Sequence, residues 1–240
     1  MNKGKIQDFS IYSKELDEHL EILVYLPPQY TPLFKYSYCI AQDGKDYFQL
    51  GRIPRTIDLL INEGEIVPIL FFGIPYKNVA DRREKYHPTG KKKDAYLRFL
   101  VNELLPYIER EYSVLQLAKA RALAGDSLAG TISLIAGIEY PNTFGNLMLH
   151  SPYVDKRVLE AVKRAKNLHT LSIYHVVGKQ ETSVKLSDGS TADFLAANRE
   201  LSSFLKEMKL DYFYEEYDGD HTWKYWQKDL ERALVHLFSE

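Results

Sequence analysis

Gly125-Asp126-Ser127-Leu128-Ala129-Gly130 stands where a short strand-like run, Arg121-Ala122-Leu123-Ala124, gives way to an apolar, helix-like run from Thr131 to Ile138. A serine on a strand-to-helix turn sits in a sharp backbone bend with its hydroxyl projecting outward. It is then within reach of a substrate carbonyl and of a histidine from another loop. Small residues on either side, Gly125 and Ala129, let the strand and helix backbones approach closely at the bend. The usual pattern has glycine where Ala129 stands; a methyl group is a small intrusion, and Gly130 lies beside it. The competing reading is plain packing of a small-residue turn, so the surrounding chain has to decide.

Working outward, Ile6 to Tyr12 and Glu21 to Leu26 read as strands, short and rich in β-formers. Pro27-Pro28-Gln29-Tyr30-Thr31-Pro32 then breaks the chain into a surface loop. Tyr36 to Ala41 is an apolar run ended by Gln42-Asp43-Gly44, as expected of a buried strand closed by a turn. Arg55 to Glu63 reads as a helix stopped by Gly64, and Ile66 to Phe72 as the next buried strand. Between Asp94 and Tyr112, Leu97, Leu100, Val101, Leu104, Leu105 and Ile108 recur at helical spacing, with a kink expected at Pro106. Beyond the serine turn the pattern predicts strand Leu147–Leu149, helix Val158–Ala165, strand Ser172–Val177, helix Phe194–Met208, strand Tyr212–Tyr217 and helix Trp223–Phe238. This alternation predicts an α/β protein with a mostly parallel central sheet and helices on both faces.

At 240 residues and 45% hydrophobic, the chain can bury a full core. One domain over 1–240 is expected, and the short connections leave no room for a large lid. The 31 basic and 33 acidic side chains nearly cancel, which gives no support for a nucleic-acid partner. Lys91-Lys92-Lys93 follows a turn-like stretch and reads as a solvated loop. The single cysteine, Cys39, lies in an apolar run and reads as a buried small hydrophobe. No secretory signal is visible at the N-terminus, and the longest apolar stretch, Ile66 to Ile74, is too short to cross a bilayer. A soluble, cytoplasmic protein without a membrane partner is expected. His-Glu-x-x-His, cysteine clusters, a phosphate-cradling Gly-Lys-Ser/Thr loop and a dinucleotide fingerprint are all missing, so neither metal nor organic cofactor is implied.

A serine hydroxyl is a poor nucleophile until a base takes its proton, and the base needs an orienting partner. On sheets that carry this turn the order is nucleophile, acid, histidine, each on a loop at the C-terminal end of a strand. Of seven histidines, His221 fits: it follows the strand ending at Tyr217 through Asp218-Gly219-Asp220 and precedes a helix. His175, inside an apolar strand, and His236, on an amphipathic helix, read as structural; His150 is the weaker competitor, and His169 lies in a short polar connection. The acid is expected after strand Ser172–Val177, where Glu181 closes Gly178-Lys179-Gln180-Glu181, with Asp188 and Asp193 further along as open alternatives. Two backbone donors are needed for the developing oxyanion. The Leu128 amide supplies one, and the loop Gln42-Asp43-Gly44-Lys45 the other, with Lys45 first and Gly44 second.

Together these segments resemble the putative esterase family that contains esterase D (S-formylglutathione hydrolase), enterochelin esterases, some feruloyl esterases and the mycobacterial mycolyltransferases. The similarity runs from Ile22 to Phe238. It rests on Tyr25-Leu26-Pro27-Pro28-Gln29-Tyr30, Asp43-Gly44, the serine turn, Tyr140-Pro141-Asn142-Thr143-Phe144-Gly145, Gly178 to Glu181, and Gly219-Asp220-His221-Thr222-Trp223 with Trp226. The resemblance implies the α/β-hydrolase fold, with Ser127 as nucleophile, Glu181 as acid, His221 as base, and the Lys45 and Leu128 amides as oxyanion hole. The mycolyltransferase branch carries alanine at the position of Ala129. Asp220 replaces the first glycine of the frequent Gly-Gly-His, which sets a carboxylate beside the base, to raise its pKa or compete with Glu181.

Asp43, Gly44, Tyr153 and Trp223 are the candidate substrate-contacting residues, although 18 tyrosines make core packing a strong competing reading for any aromatic. Arg82-Arg83-Glu84 reads as a solvated charged loop, with binding of an anionic acyl donor as the alternative. The expected activity is hydrolysis of a small-molecule carboxylic ester, with thioesters, siderophore esters and feruloylated sugars all open. The alternatives are an acyltransferase using the same three residues and a catalytically idle binding module. Oligomeric state is not legible in the sequence.

Overall fold

The computed structural model describes residues 2–239. The chain begins with a hairpin, β1 (Lys5–Ser13) and β2 (Glu18–Leu26). β3 (Ser37–Gln42) leads into a short helix α1 (Gly44–Gln49) and then α2 (Ile53–Glu63), and β4 (Ile69–Ile74) is followed by α3 (Val79–Tyr86). A continuous helical stretch comprises α4 (Lys93–Arg98), a π-helical segment Phe99–Leu104 and α5 (Leu105–Glu111). β5 (Arg121–Asp126) passes directly into α6 (Ser127–Glu139), and β6 (Asn146–His150) precedes α7 (Lys156–Arg164). After β7 (Ser172–Gly178) comes a small hairpin of β8 (Val184–Lys185) and β9 (Thr191–Ala192), then α8 (Phe194–Glu207), β10 (Asp211–Tyr217) and α9 (Trp223–Phe238).

Eight strands form one sheet in the order β1-β2-β4-β3-β5-β6-β7-β10. β2 runs antiparallel to both β1 and β4, and every pairing from β4 through β10 is parallel. This is the strand order of the α/β-hydrolase fold.

Side chains of a strand alternate between faces, and the inner strands use both. Tyr38, Ile40 and Leu123 join the core under the α3-to-α8 side. Cys39, Ala41, Ala122 and Ala124 face the second core, with Tyr47 of α1, Ile57 and Leu60 of α2 and Leu230 and Leu234 of α9. Both faces are therefore apolar, which is why these strands read as continuous apolar runs rather than alternating ones. Cys39 is fully buried and its thiol is pushed up by desolvation, so it packs as a hydrophobe.

The expected kink at Pro106 takes a particular form. Proline has no N–H, and its ring clashes with a carbonyl four residues back. The helix widens just before it: the Leu105 N–H bonds the Leu100 carbonyl, five residues back, across the π-helical segment. Three elements escape the sequence pattern. α1 is too short to show periodicity, α3 is nearly all polar (Val-Ala-Asp-Arg-Arg-Glu-Lys-Tyr), and the β8–β9 hairpin has only two residues per strand.

Because the central strands run the same way, their C-terminal ends share one edge of the sheet. β3 with α1, β5 with α6, the turn after β7 and the loop after β10 all meet there. Ligand sites of parallel α/β sheets lie at this edge.

Candidate active site

Ser127 adopts φ +52°, a left-handed backbone that costs a non-glycine residue roughly 1–2 kcal/mol. Its neighbours hold it there. A Cβ on Gly125 would lie 2.2 Å from the carbonyl carbon and oxygen of Ala129, so only glycine lets β5 and α6 approach this closely. The Ser127 carbonyl accepts the Tyr153 N–H at 3.1 Å and the Thr131 hydroxyl at 3.1 Å. Ser127 is thus a strained, well-pinned and half-buried residue at a strand end.

His221 lies between β10 and α9, its ring packed on Phe194 (centroids 4.4 Å apart) and edge-on to Trp226 (4.9 Å). Its Nδ1 is 2.7 Å from Glu181 Oε2. Glu181 sits in a tight turn closed by its own N–H on the Gly178 carbonyl at 3.1 Å, and is fully buried. Burying a carboxylate is costly unless donors surround it. Here Ser151 Oγ (2.6 Å), the Gly178 N–H (2.7 Å) and Tyr217 OH (3.0 Å) all donate to Oε1.

The other candidate acids have different work. Asp188 is exposed, accepts from Ser190 and pairs with Arg83 at 3.1 Å, while Asp193 caps α8 by accepting the Ala196 N–H at 2.8 Å. The competing histidines are likewise engaged. His150 is buried with its Nε2 3.0 Å from Asp229. His175 is buried between Tyr212 OH and Asn198 Oδ1, each at 2.7 Å, and desolvation pushes its pKa down to about 4. Asp220 is exposed and accepts the Thr222 hydroxyl at 2.6 Å; no hydrogen bond joins its carboxylate to His221.

Ser127 and His221 line one cavity of about 170 Å³, together with Leu128, Tyr153, Phe194, His87, Arg82, Arg83 and the β8–β9 hairpin residues Val184 to Ser187. No direct hydrogen bond joins Ser127 Oγ to the His221 imidazole, although both line this cavity.

Of the candidate substrate residues, Tyr153 lines the cavity and Asp43, Gly44 and Trp223 do not. Trp223 is edge-on to Tyr47 at 4.9 Å and to Trp226 at 5.7 Å, held by packing. Gly44 is pressed against β4, where a Cβ would lie 2.2 Å from the Gly73 carbonyl carbon. The Asp43 carboxylate, 2% exposed, is gripped by Arg82 through Nε (2.9 and 2.8 Å) and Nη2 (2.5 Å). Arg82 is thus neither a solvated-loop side chain nor free for an anion: at 17% exposure it is bound to the loop before α1. The Leu128 and Lys45 amides, proposed from sequence as oxyanion donors, make no hydrogen bond among the described residues; Leu128 lines the cavity and Lys45 does not. Asp126, just before Ser127, is buried with Oδ1 unpartnered, and desolvation followed by the neighbouring Asp43 holds its carboxyl well above the usual range.

Sequence reasoning missed Ser151, Tyr217, His87, Phe194 and the β8–β9 hairpin wall. Only the hairpin left a signal, the Asp188-Gly189 turn dipeptide, with Gly189 at φ +86°. Among the described residues no group of three or more His, Cys, Asp or Glu is arranged to hold a metal ion, and no helix is long and apolar enough to cross a membrane.

The family model described as Putative esterase matches residues 13–237. "Uncharacterized protein YjcH" of Bacillus subtilis (strain 168) is 49% identical over 231 residues, covering 96% of each chain. Among solved structures, a ferulic acid esterase superposes with a TM-score of 0.82 at 18% identity, covering 99% of both chains. The enterochelin esterase from Shigella flexneri superposes with a TM-score of 0.82 at 19% identity, over 97% of this chain and 57% of that one. At these identities the two structures speak to fold alone.

Proposed function

The chain belongs to the putative esterase family, and from that premise we propose that it is a serine hydrolase working through an acyl-enzyme on Ser127. His221 takes the Ser127 proton as Oγ attacks the ester carbonyl. The developing oxyanion is met by the Leu128 amide, with the Lys45 amide as second donor. Glu181, accepting from His221 Nδ1, keeps the Nε2 lone pair free for the serine proton and stabilises the imidazolium. Collapse of the tetrahedral intermediate breaks the ester C–O bond, and the imidazolium protonates the departing alcohol. Water then attacks the acyl-enzyme with His221 again as base, releasing the acid and restoring the Ser127 hydroxyl. The chemistry calls for no metal or organic cofactor.

The observation that carries this reading is the 2.7 Å contact of His221 with a buried, fully solvated-by-protein Glu181, beside a cavity shared with a left-handed Ser127. The site belongs to a single domain, with the short β8–β9 hairpin forming one wall of its cavity. The cavity wall is polar at Lys185, Ser187 and Tyr153, while Arg82 and Arg83 are paired with Asp43 and Asp188. That favours esters with a polar reacting end over long lipids. The test is labelling by a fluorophosphonate probe, with a panel of esters and thioesters run on wild type and Ser127→Ala. Labelling and turnover are expected in the first and lost in the second; turnover retained in Ser127→Ala refutes the proposal. An added alcohol acceptor in the same panel distinguishes hydrolysis from acyl transfer.

A further inference from the structure

Glu181 meets its environment unequally. Its Oε2 faces one partner, His221, while Oε1 takes three donors from three separate elements: Ser151 after β6, Gly178 at the end of β7 and Tyr217 at the end of β10. Ser151 is fully buried at φ +45°, a backbone that a non-glycine side chain adopts only at a cost, and its N–H is tied to the Val176 carbonyl at 2.8 Å. Its hydroxyl also accepts the Trp226 indole N–H at 3.2 Å. Trp226 has no acceptor lone pair and Tyr217 OH lies further off at 3.4 Å, so the Ser151 proton goes to Glu181 Oε1 at 2.6 Å. Tyr217 is equally constrained: desolvation and the nearby Glu181 push its ionisation up, so it stays a donor.

The geometry points to Ser151 and Tyr217 as positioning residues for the proton path, with Trp226 orienting Ser151. Their hydrogen bonds lock the carboxylate so that Oε2 alone meets the imidazole. This inference rests on the proposed roles of Ser127, Glu181 and His221. The titratable and charged groups around the pair are His175 in β7, Tyr217 in β10, Asp220 beside His221, and Arg82, Arg83, His87 and Lys185 across the cavity. α8 and α9 contribute the neutral Phe194 and Trp226.

The test uses Ser151→Ala, Tyr217→Phe and their double variant, with p-nitrophenyl acetate as the probe substrate. Each lost donor to a charged group is expected to lower kcat about tenfold with KM little changed. The acidic limb of the kcat/KM profile should move to higher pH, because a less compensated carboxylate holds the imidazolium more tightly. A merely structural role lowers thermal stability and leaves that limb where it was. Ser151→Gly suits the left-handed backbone, so it supplies the same readout if the alanine variant does not fold. Unchanged kcat and an unmoved limb, with labelling still lost in Ser127→Ala, overturn the inference and leave the triad intact. Failure of the probe to label wild type at Ser127 removes instead the reading on which it rests.

Discussion

Replacing Glu181 by glutamine tests the site through a single proton. A glutamine side chain keeps the shape of the carboxylate but has one oxygen and one NH2 group. Oε1 of Glu181 accepts from Ser151 Oγ, Gly178 N–H and Tyr217 OH at 2.6–3.0 Å. The two hydroxyls can rotate away, but the backbone N–H cannot, so an NH2 at that end faces a fixed donor. The amide oxygen therefore takes the Oε1 position and the NH2 group lands opposite His221 Nδ1, now 2.7 Å from a donor instead of an acceptor. Nδ1 must then carry its lone pair and Nε2 the proton, the tautomer that cannot accept from Ser127. In a Ser-His-Asp protease the acid-to-amide change costs about 10⁴ in kcat, and from the proposed roles of Ser127, His221 and Glu181 the same order, about 5 kcal/mol of transition-state stabilisation, is expected here. Stability should change little, because the three Oε1 donors keep an acceptor and a buried charge is removed. The assay is kcat with p-nitrophenyl acetate for wild type and Glu181→Gln, alongside thermal unfolding of both. Activity within tenfold of wild type in a normally folded variant refutes the reasoning, since His221 would then be working without its acid.

Ser127→Gly should abolish probe labelling yet raise Tm by about 2–4 °C, since glycine relieves roughly 1 kcal/mol at φ +52°; a lowered Tm contradicts the strain. Gly125→Ala forces a methyl group to within 2.2 Å of the Ala129 carbonyl and should cost about 1–3 kcal/mol along with activity, read by urea denaturation and turnover. Arg82→Met strands the Asp43 carboxylate at 2% exposure and should destabilise by about 3–5 kcal/mol; a loss under 1 kcal/mol in urea melts would mean that the pair is not structural. His175 is neutral in the folded state, with its pKa pushed down from 6.5 to about 4 by burial. Below the unfolded pKa the unfolded chain binds the extra proton, so its contribution is intact above pH 6.5 and shrinks by about 1.4 kcal/mol per pH unit down to pH 4. Urea melts at several pH values across that window, with His175→Gln showing a shallower slope, check it.

Much of the architecture was legible because its causes are local. Apolar runs bounded by turn residues marked the inner strands, whose two buried faces leave few polar positions. The helical spacing of Leu97, Leu100, Val101, Leu104, Leu105 and Ile108 marked the α4–α5 stretch, even with Pro106 inside it. The serine turn was legible for a similar reason: the approach of β5 and α6 needs Gly125, and the small residues are adjacent in the chain. The position of His221 between a strand and a helix also followed from local pattern.

The choice among Glu181, Asp188 and Asp193 had no local cause. All three lie within one connection after β7, and only the place of Glu181 directly after the strand ranks it first, with Asp188 and Asp193 left open. Only folding brings Ser151, 30 residues before Glu181, and Tyr217, 36 after it, onto the same oxygen. The same holds for Arg82, whose charge reads as solvated until folding sets it against Asp43, 39 residues away. Secondary structure answers to neighbours along the chain, whereas the state of a buried charge answers to neighbours in space. That is why the sequence alone determined the central strands, the longer apolar helices and the serine turn, and only tertiary structure decided which carboxylate meets the imidazole and which arginine holds the loop before α1.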